Sequence, residues 1–169
     1  MLVMHNKINA SRTICLHHYT TLDSAIKILN CEYFLFSNFE NELNDIKENR
    51  NLTINKNFRF ISFNRSIHEK IPLWKCFCDI SKPCVILSTT NNKLEKLIKD
   101  SEIYYKCGKT KKIIDKSDYK LELIDIAYKK FKNNDNKYDC KTKDSHFRYE
   151  TETRLILNIL NKSLYEKTI

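Results

Sequence analysis

Apolar residues fall in short runs separated by polar stretches along the whole chain, a pattern typical of short strands and helices packed around one core. Runs rich in β-branched and aromatic residues predict strands at residues 13–19, 33–37, 58–63, 84–88 and 153–160. Two further runs, at residues 102–107 and 111–115, predict a hairpin. Its turn would use Gly108, the single glycine of the chain, because glycine takes positive φ readily.

Apolar residues at helical spacing predict four helices. They cover, in chain order, residues 22–30, a short stretch from Pro72 to Phe77, residues 91–99 and residues 119–131. Thr20 or Thr21 can cap the first helix, and the last is the longest. Residues 133–145 are mostly polar and predict a mobile loop. Helices and strands together indicate a mixed α and β organisation.

Length and composition indicate one domain over residues 1–169, with the sequence motifs discussed below lying within residues 13–160. A hydrophobic content of 41% with 11% aromatic residues excludes a wholly disordered chain. No window reaches about 18 consecutive apolar residues, so we expect no membrane span. The first ten residues lack the apolar centre of a secretory signal, so we expect the protein in the cytoplasm.

The net charge of +9 suggests a polyanionic partner, because basic domains often bind nucleic acid. However, 24 of the 30 basic residues are Lys, and Arg, which reads phosphate and guanine better, is scarce. The excess is concentrated between Lys99 and Lys143, where 13 Lys stand against 8 acidic residues. The charge leaves two readings open, namely a solvated surface and a surface that docks a macromolecule.

The seven cysteines show no C-x-x-C spacing, and their odd number favours reduced thiols over a disulfide framework. Cys76, Cys78 and Cys84 with His68 could be taken for a zinc site. Their spacing matches no common structural zinc pattern, so we interpret them as core thiols and expect no metal.

Four clusters could carry chemistry. The first contains His17, His18, Tyr19 and Thr20, at the end of a predicted strand. Alternation along a strand places His17 and His18 on opposite faces, so at most one of them points into a given pocket. That imidazole could bind a ribose hydroxyl, or it could be a hydrogen-bonded structural histidine.

The second cluster is Asn44 with Asp45, which fits either a ligand contact or a simple Asx turn. The third centres on Trp74, which suits the core or the wall of a pocket for a planar ligand. The fourth contains Glu150, Glu152 and Arg154, which share one face of an extended chain. Two neighbouring carboxylates balanced by an arginine fit either stabilisation of a developing cation or a surface row of ion pairs.

Taken in order, these clusters resemble a bacterial family catalogued as domain of unknown function 2971. The motifs that carry the resemblance are His18-Tyr19-Thr20, Asn44-Asp45, Ser62-Phe63, Leu73-Trp74 and Glu150-Thr151-Glu152-Thr153-Arg154-Leu155. The chain departs from the family pattern where Ile46 replaces a proline and Thr153 replaces an aromatic residue. The match covers most of the chain.

That family is in turn similar, more distantly, to ADP-ribosyltransferases. This resemblance implies an α+β single domain with a split, two-sheet β core, flanking helices and NAD bound as a substrate between the sheets. It also implies that His18 holds a ribose, that Trp74 or Tyr19 stacks on nicotinamide, that Glu152 is the catalytic carboxylate and that Glu150 positions the acceptor. Thr20, Asn44, Asp45 and Arg154 complete the expected nucleotide-binding set.

The leading hypothesis is therefore an NAD-consuming ADP-ribosyltransferase-like protein, such as a toxin, defence or phage-encoded effector. Its chemistry needs no metal, since a carboxylate stabilises the oxocarbenium-like centre left when the glycosidic bond breaks. The departures from the family pattern favour one alternative, a module of the same fold that binds nucleotides without turnover. Another alternative is a nucleic-acid-binding protein that uses the surface between Lys99 and Lys143, which could also dock the acceptor of the first hypothesis.

Overall fold

The computed structural model describes residues 13–31, 34–38, 57–66, 68, 71–77, 81–107, 110–130 and 140–165. In chain order its elements are β1 (Cys15–Thr21), α1 (Leu22–Cys31), β2 (Ser37–Asn38), β3 (Phe58–Asn64), α2 (Ile71–Phe77), β4 (Cys84–Thr90), α3 (Asn91–Asp100), β5 (Tyr104–Cys107), β6 (Thr110–Ile113), β7 (Tyr119–Asp125), β8 (Ala127–Lys129), β9 (Thr142–Asp144), a 3₁₀ helix (Ser145–Glu150), β10 (Glu152–Ile159) and α4 (Lys162–Tyr165).

Six of the strands form one antiparallel sheet in the order β4-β1-β3-β10-β7, with β2 paired to β3. β1 pairs with β4 from Cys15 opposite Thr90 to Thr21 opposite Cys84, and β10 pairs along β3 and β7 over similar lengths. In contrast, β1 and β3 are in register at one pair, His17 with Asn64. Within the described residues, the strand pairing between β1 and β3 is therefore much shorter than the pairing of β1 with β4 or of β3 with β10.

Both faces of the sheet are covered by apolar residues. On one face, the buried cluster contains Leu16, Ile61, Phe63, Leu94 and Leu155, with α3 packed on it through Leu94. On the other face lie two smaller clusters, one around Phe60, Cys140 and Ile156 and one around Tyr19 and Leu73. Alternate residues of each strand point to opposite faces, which explains how one strand supplies both layers.

The fold is α+β and forms a single compact domain made mostly of antiparallel sheet with a few helices. The sequence predicted most of these elements correctly, including strands β1, β3, β4 and β10, helices α1, α2 and α3, and the β5–β6 hairpin. Gly108, the expected turn residue, lies outside the described residues. None of the helices in the described ranges has the length and hydrophobicity needed to cross a bilayer.

The predicted helix at residues 119–131 is wrong, because residues 119–125 form β7 and residues 127–129 form β8. Leu121 and Leu123 lie opposite Leu157 and Leu155 of β10, while Lys120 and Glu122 project to the other face. This period of two is the strand signal. Apolar residues further along the chain, such as Ala127, also fit a helical spacing, and for this reason the sequence predicts a helix.

Two smaller predictions also need correction. Residues 142–144 of the predicted loop form β9, which is parallel to β8, and residue 145 begins the 3₁₀ helix. The strand predicted at residues 33–37 is displaced, since β2 covers Ser37–Asn38 and residues 34–36 have no regular structure. In both places the strand forms by pairing with another strand, Ala127 with Thr142 and Ser37 with Phe60.

Candidate functional site

A cavity of about 40 Å³ lies between β1 and β3. It is lined by residues of β1, β3, α2 and the corner at which the 3₁₀ helix meets β10, among them His17, His18, Tyr19, Ser62, Glu150 and Glu152. A cavity of this size has room for a few water molecules or for one edge of a sugar ring. The cavity therefore brings together both histidines of the first sequence cluster and both glutamates of the fourth, and the expectation that only one of the two histidines reaches a given pocket is wrong.

Glu152 is the first residue of β10, and its carboxylate is held on both oxygens. Arg154 donates from Nε to Oε1 at 2.6 Å and from Nη2 to Oε2 at 3.1 Å, and Ser62 donates its hydroxyl to Oε1. Burial by itself would raise the pKa of Glu152, but the charges of Arg154 and Lys143 and the hydrogen bonds from Arg154 and Ser62 hold it below its usual value. Glu152 is thus an ionised carboxylate inside the protein.

Glu150 is paired with Lys143, whose Nζ donates to Glu150 Oε2 at 2.5 Å and lies 3.5 Å from Glu152 Oε2. We call Lys143, Glu150, Glu152 and Arg154 the charge cluster. Its four side chains are between 1% and 5% exposed, and its charges sum to zero. The reading of the fourth sequence cluster as a surface row of ion pairs is therefore wrong, and Lys143 does not belong to the basic surface between Lys99 and Lys143.

The backbone turns sharply between the two carboxylates. Thr151 has φ 44° and ψ 49°, in the left-handed region that a β-branched residue rarely occupies. Asn64 holds this corner by donating its amide to the carbonyl of Glu150 and to Thr151 Oγ1, and the Arg65 amide donates to the Thr151 carbonyl at 3.2 Å. Glu150 and Glu152 therefore meet through this corner, and not through the extended chain that the sequence suggested.

His18 donates from Nδ1 to the Ser62 carbonyl at 2.9 Å, since a carbonyl oxygen can only accept. Burial lowers the pKa of His18, with the Ser62 hydrogen bond opposing it, so the imidazole is neutral at pH 7. With the proton on Nδ1, Nε2 is left as an acceptor. Ser62 contacts both sides of the site, because its carbonyl holds His18 and its hydroxyl holds Glu152.

The remaining predicted residues lie in different places. Tyr19 lines the cavity and packs edge-on against Trp74, with ring centroids 5.0 Å apart, so Trp74 lies behind Tyr19 and is not part of the cavity wall. Thr20 is buried in β1 and likewise does not line the cavity, and Arg154 supports Glu152 from within the protein. Asn44 and Asp45 lie outside the described residues.

Three residues of the site, Asn64, Tyr128 and Lys143, were not singled out from the sequence, whereas Ser62 stood in the Ser62-Phe63 motif without a role of its own. Asn64 could have been, because it lies two residues after Ser62 and so shares its face of β3. Tyr128, whose hydroxyl accepts from the Glu152 amide at 2.8 Å, was assigned to the incorrect helix. Burial raises the pKa of this phenol, so it stays protonated. Lys143 gave no signal at all, because nothing in its neighbourhood distinguishes it from a surface lysine.

Within the described ranges, no group of three or more His, Cys, Asp or Glu side chains is placed to hold a metal ion. Of the cysteines considered for zinc, Cys84 is half-buried and contacts the Lys82 carbonyl through Sγ, and Cys78 lies outside the described residues. Comparison of the chain with protein-family models, with curated proteins and with solved structures found no match. The chemistry of the site is therefore the basis for assigning a function.

Proposed function

We propose that this protein binds NAD and cleaves its nicotinamide glycosidic bond, as an ADP-ribosyltransferase or an NAD glycohydrolase. The observation that carries the proposal is the cavity shared by neutral His18, the ionised carboxylate of Glu152 and the side chain of Glu150 that pairs with Lys143. When the C–N bond breaks, the bonding electrons leave with nicotinamide and the ribose carbon becomes positive. A fixed, desolvated carboxylate stabilises that charge without having to reorganise.

The size of the cavity limits which part of NAD can enter it. About 40 Å³ accepts a hydroxyl-bearing edge of a ribose and not a dinucleotide. In the proposal Glu152 faces the nicotinamide ribose, His18 accepts a hydrogen bond from a ribose hydroxyl through Nε2, and Glu150 orients the acceptor. Tyr19, with Trp74 behind it, supplies the aromatic surface for nicotinamide.

The sheet supports the same proposal at the level of the fold. β1 and β3 share one pair in register, so the sheet is close to being divided into a β4-β1 part and a β3-β10-β7 part. We propose that this division corresponds to the split core of ADP-ribosyltransferases, with the substrate entering between the two parts. Reduced thiols at Cys15, Cys84 and Cys140 suit the cytoplasm, where we place the reaction.

One observation favours a second candidate, a module that binds nucleotides without turnover. Both oxygens of Glu152 are already engaged by Arg154, Ser62 and Lys143. A carboxylate held in this way can serve the structure alone, because breaking such a buried pair is strongly unfavourable. Under this candidate His18 and Tyr19 bind the ligand and no bond is broken.

The experiment that separates these candidates uses NAD labelled in nicotinamide and in adenine, and compares the protein with Glu152→Gln. The matched control is Glu122→Gln, a partly exposed carboxylate on β7 paired with Lys120 and Lys141. We expect nicotinamide release to fall roughly a hundredfold in Glu152→Gln, which corresponds to about 3 kcal/mol, and to be unchanged in the control.

NAD binding is measured on the same samples by calorimetry. Binding without nicotinamide release in the unsubstituted protein would favour the second candidate, and absence of binding would overturn both. Label that appears on protein or nucleic acid identifies the acceptor. An acceptor docked on the exposed lysines of β6, Lys111 and Lys112, would be lost steeply as salt rises, because such contacts release counterions.

A further inference from the structure

The buried ammonium of Lys143 is the member of the charge cluster to which the proposed chemistry gives no role. Lys143 lies in the middle of β9, with Nζ 4.9 Å from the centre of the Phe147 ring and within 3.5 Å of an oxygen of both Glu150 and Glu152. The cavity wall is made by β1, β3, α2 and the Glu150–Glu152 corner. Lys143 therefore acts on the cavity through the two carboxylates and not by touching what the cavity holds.

The titratable and charged groups around the two carboxylates come from four elements, and the Ser62 hydroxyl of β3 also donates to Glu152. Lys143 comes from β9, Arg154 from β10 and the protonated hydroxyl of Tyr128 from β8, while His17 and neutral His18 line the cavity from β1. Without Lys143, Arg154 would be the cation left within the charge cluster to balance two buried carboxylates. Two like charges in a desolvated site raise each other's affinity for a proton, so one carboxylate would become protonated more easily.

We propose that Lys143 is a positioning residue whose buried ammonium, paired with Glu150 and Glu152, holds both carboxylates at the cavity and thereby sets the lower pH limit of the reaction. This inference rests on the proposed function. It assigns a site role to a lysine that the sequence places in a basic segment, and it explains why an ammonium is retained at a position that is closed to solvent. A purely structural role would predict no effect on the pH profile.

The first test compares Lys143→Met, which removes the charge and keeps most of the chain length, with Lys141→Met. Lys141 is the matched control because it lies two residues earlier, is partly exposed and pairs with Glu122 at 3.3 Å. Relative to the unsubstituted protein, we expect the loss of nicotinamide release in Lys143→Met to be on the order of tenfold larger at pH 5 than at pH 8. The reason is that one carboxylate of this variant is protonated at pH 5. We expect KM for NAD to stay within about twofold. The control should keep the unsubstituted profile.

The second test does not depend on activity. Carbon-13 NMR of side-chain carboxyl carbons follows the titration of Glu152, whose signal is assigned by its loss in Glu152→Gln. We expect the midpoint to move to higher pH in Lys143→Met and not in Lys141→Met. If Lys143→Met does not fold, Glu150→Gln is compared with the double variant Glu150→Gln/Lys143→Met, in which opposite charges are removed together. The titration midpoint of Glu152 should again lie at higher pH in the double variant, which lacks Lys143.

The possible results separate the inference from the proposed function. A shifted midpoint without nicotinamide release by any variant would overturn the proposed function and leave the electrostatic role of Lys143 standing. An unshifted midpoint would overturn the inference, even where NAD is consumed. Activity that falls equally at every pH would also overturn it, because that result indicates a lysine needed only for folding.

Discussion

Arg154 contacts Glu152, Cys140 and Phe60 inside the protein, and its replacement by Met tests whether the charge cluster supports the fold. The change removes two ion-pair hydrogen bonds to Glu152, the 3.2 Å bond to the Cys140 carbonyl and the stacking of the guanidinium 5.0 Å from the Phe60 ring centre. Removing one partner of a buried ion pair costs about 3 to 5 kcal/mol. Because Ser62 and Lys143 still contact Glu152, we expect a loss of about 3 kcal/mol.

A loss of that size is a large part of the stability of a single domain, which is about 5 to 15 kcal/mol. Urea unfolding followed by circular dichroism measures it. The matched control is Arg65→Met, since Arg65 also pairs with a carboxylate, Asp125 at 2.5 Å, but its side chain is 29% exposed. We expect the control to lose about 1 kcal/mol or less, as partly exposed pairs do.

A double variant, Arg154→Met/Glu152→Gln, shows whether the loss comes from the charge left behind. It removes opposite charges together and leaves the Lys143–Glu150 pair intact. We therefore expect it to be more stable than Arg154→Met, with a coupling energy of about 1 to 3 kcal/mol. A fall of less than about 1 kcal/mol in the free energy of unfolding of Arg154→Met would refute the reasoning. The same holds if the loss in the double variant equals the sum of the losses in Arg154→Met and Glu152→Gln.

Two further predictions concern the same corner of the molecule. The pKa of Glu152 lies below its ordinary value of 4.5, so its contribution to stability is complete above about pH 4.5 and is lost as pH falls through the folded-state pKa. Urea unfolding between pH 3 and 7 should therefore show that the free energy of unfolding falls less steeply with decreasing pH in Glu152→Gln than in the unsubstituted protein. An equally steep fall in both proteins would contradict this prediction. Thr151→Asn should raise the free energy of unfolding by about 1 kcal/mol, because Asn tolerates the left-handed conformation better than a β-branched residue. The control, Thr110→Asn on exposed β6, should change the free energy of unfolding little. If Thr151→Asn lowers the free energy of unfolding by as much as the control or more, the corner is not strained.

Local sequence patterns were sufficient for most of the elements but not for the pairing of the strands. Helix α3 illustrates the first case, because Leu94, Leu97 and Ile98 recur at helical spacing and predict it from the sequence, and in the structure Thr90 caps its start. β7 illustrates the second, since its residues fit both a period of two and a partial helical spacing. Hydrogen bonding to β10 along the whole length of β7 decided between them.

The candidate site was predicted in part for a related reason. His18, Tyr19, Glu150 and Glu152 stood out by residue type and spacing, and the structure brings all four to one cavity. Their roles in NAD chemistry stay a prediction. Trp74 was distinctive in sequence but lies behind Tyr19, whereas Ser62, which stood out in sequence only as part of a motif, contacts both His18 and Glu152.

By itself, the sequence determined where most helices and strands form, the basic character of the chain and which rare side chains could carry chemistry. Only the tertiary structure decided that a cavity lies between β1 and β3, that the two carboxylates meet at the Thr151 corner and that Lys143 is buried and paired with them. The physical reason is that propensity and periodicity are local, whereas burial and ion pairing depend on residues as far apart as Ser62 and Glu152. A lysine in a basic segment has the same local signature whether it faces water or a buried carboxylate.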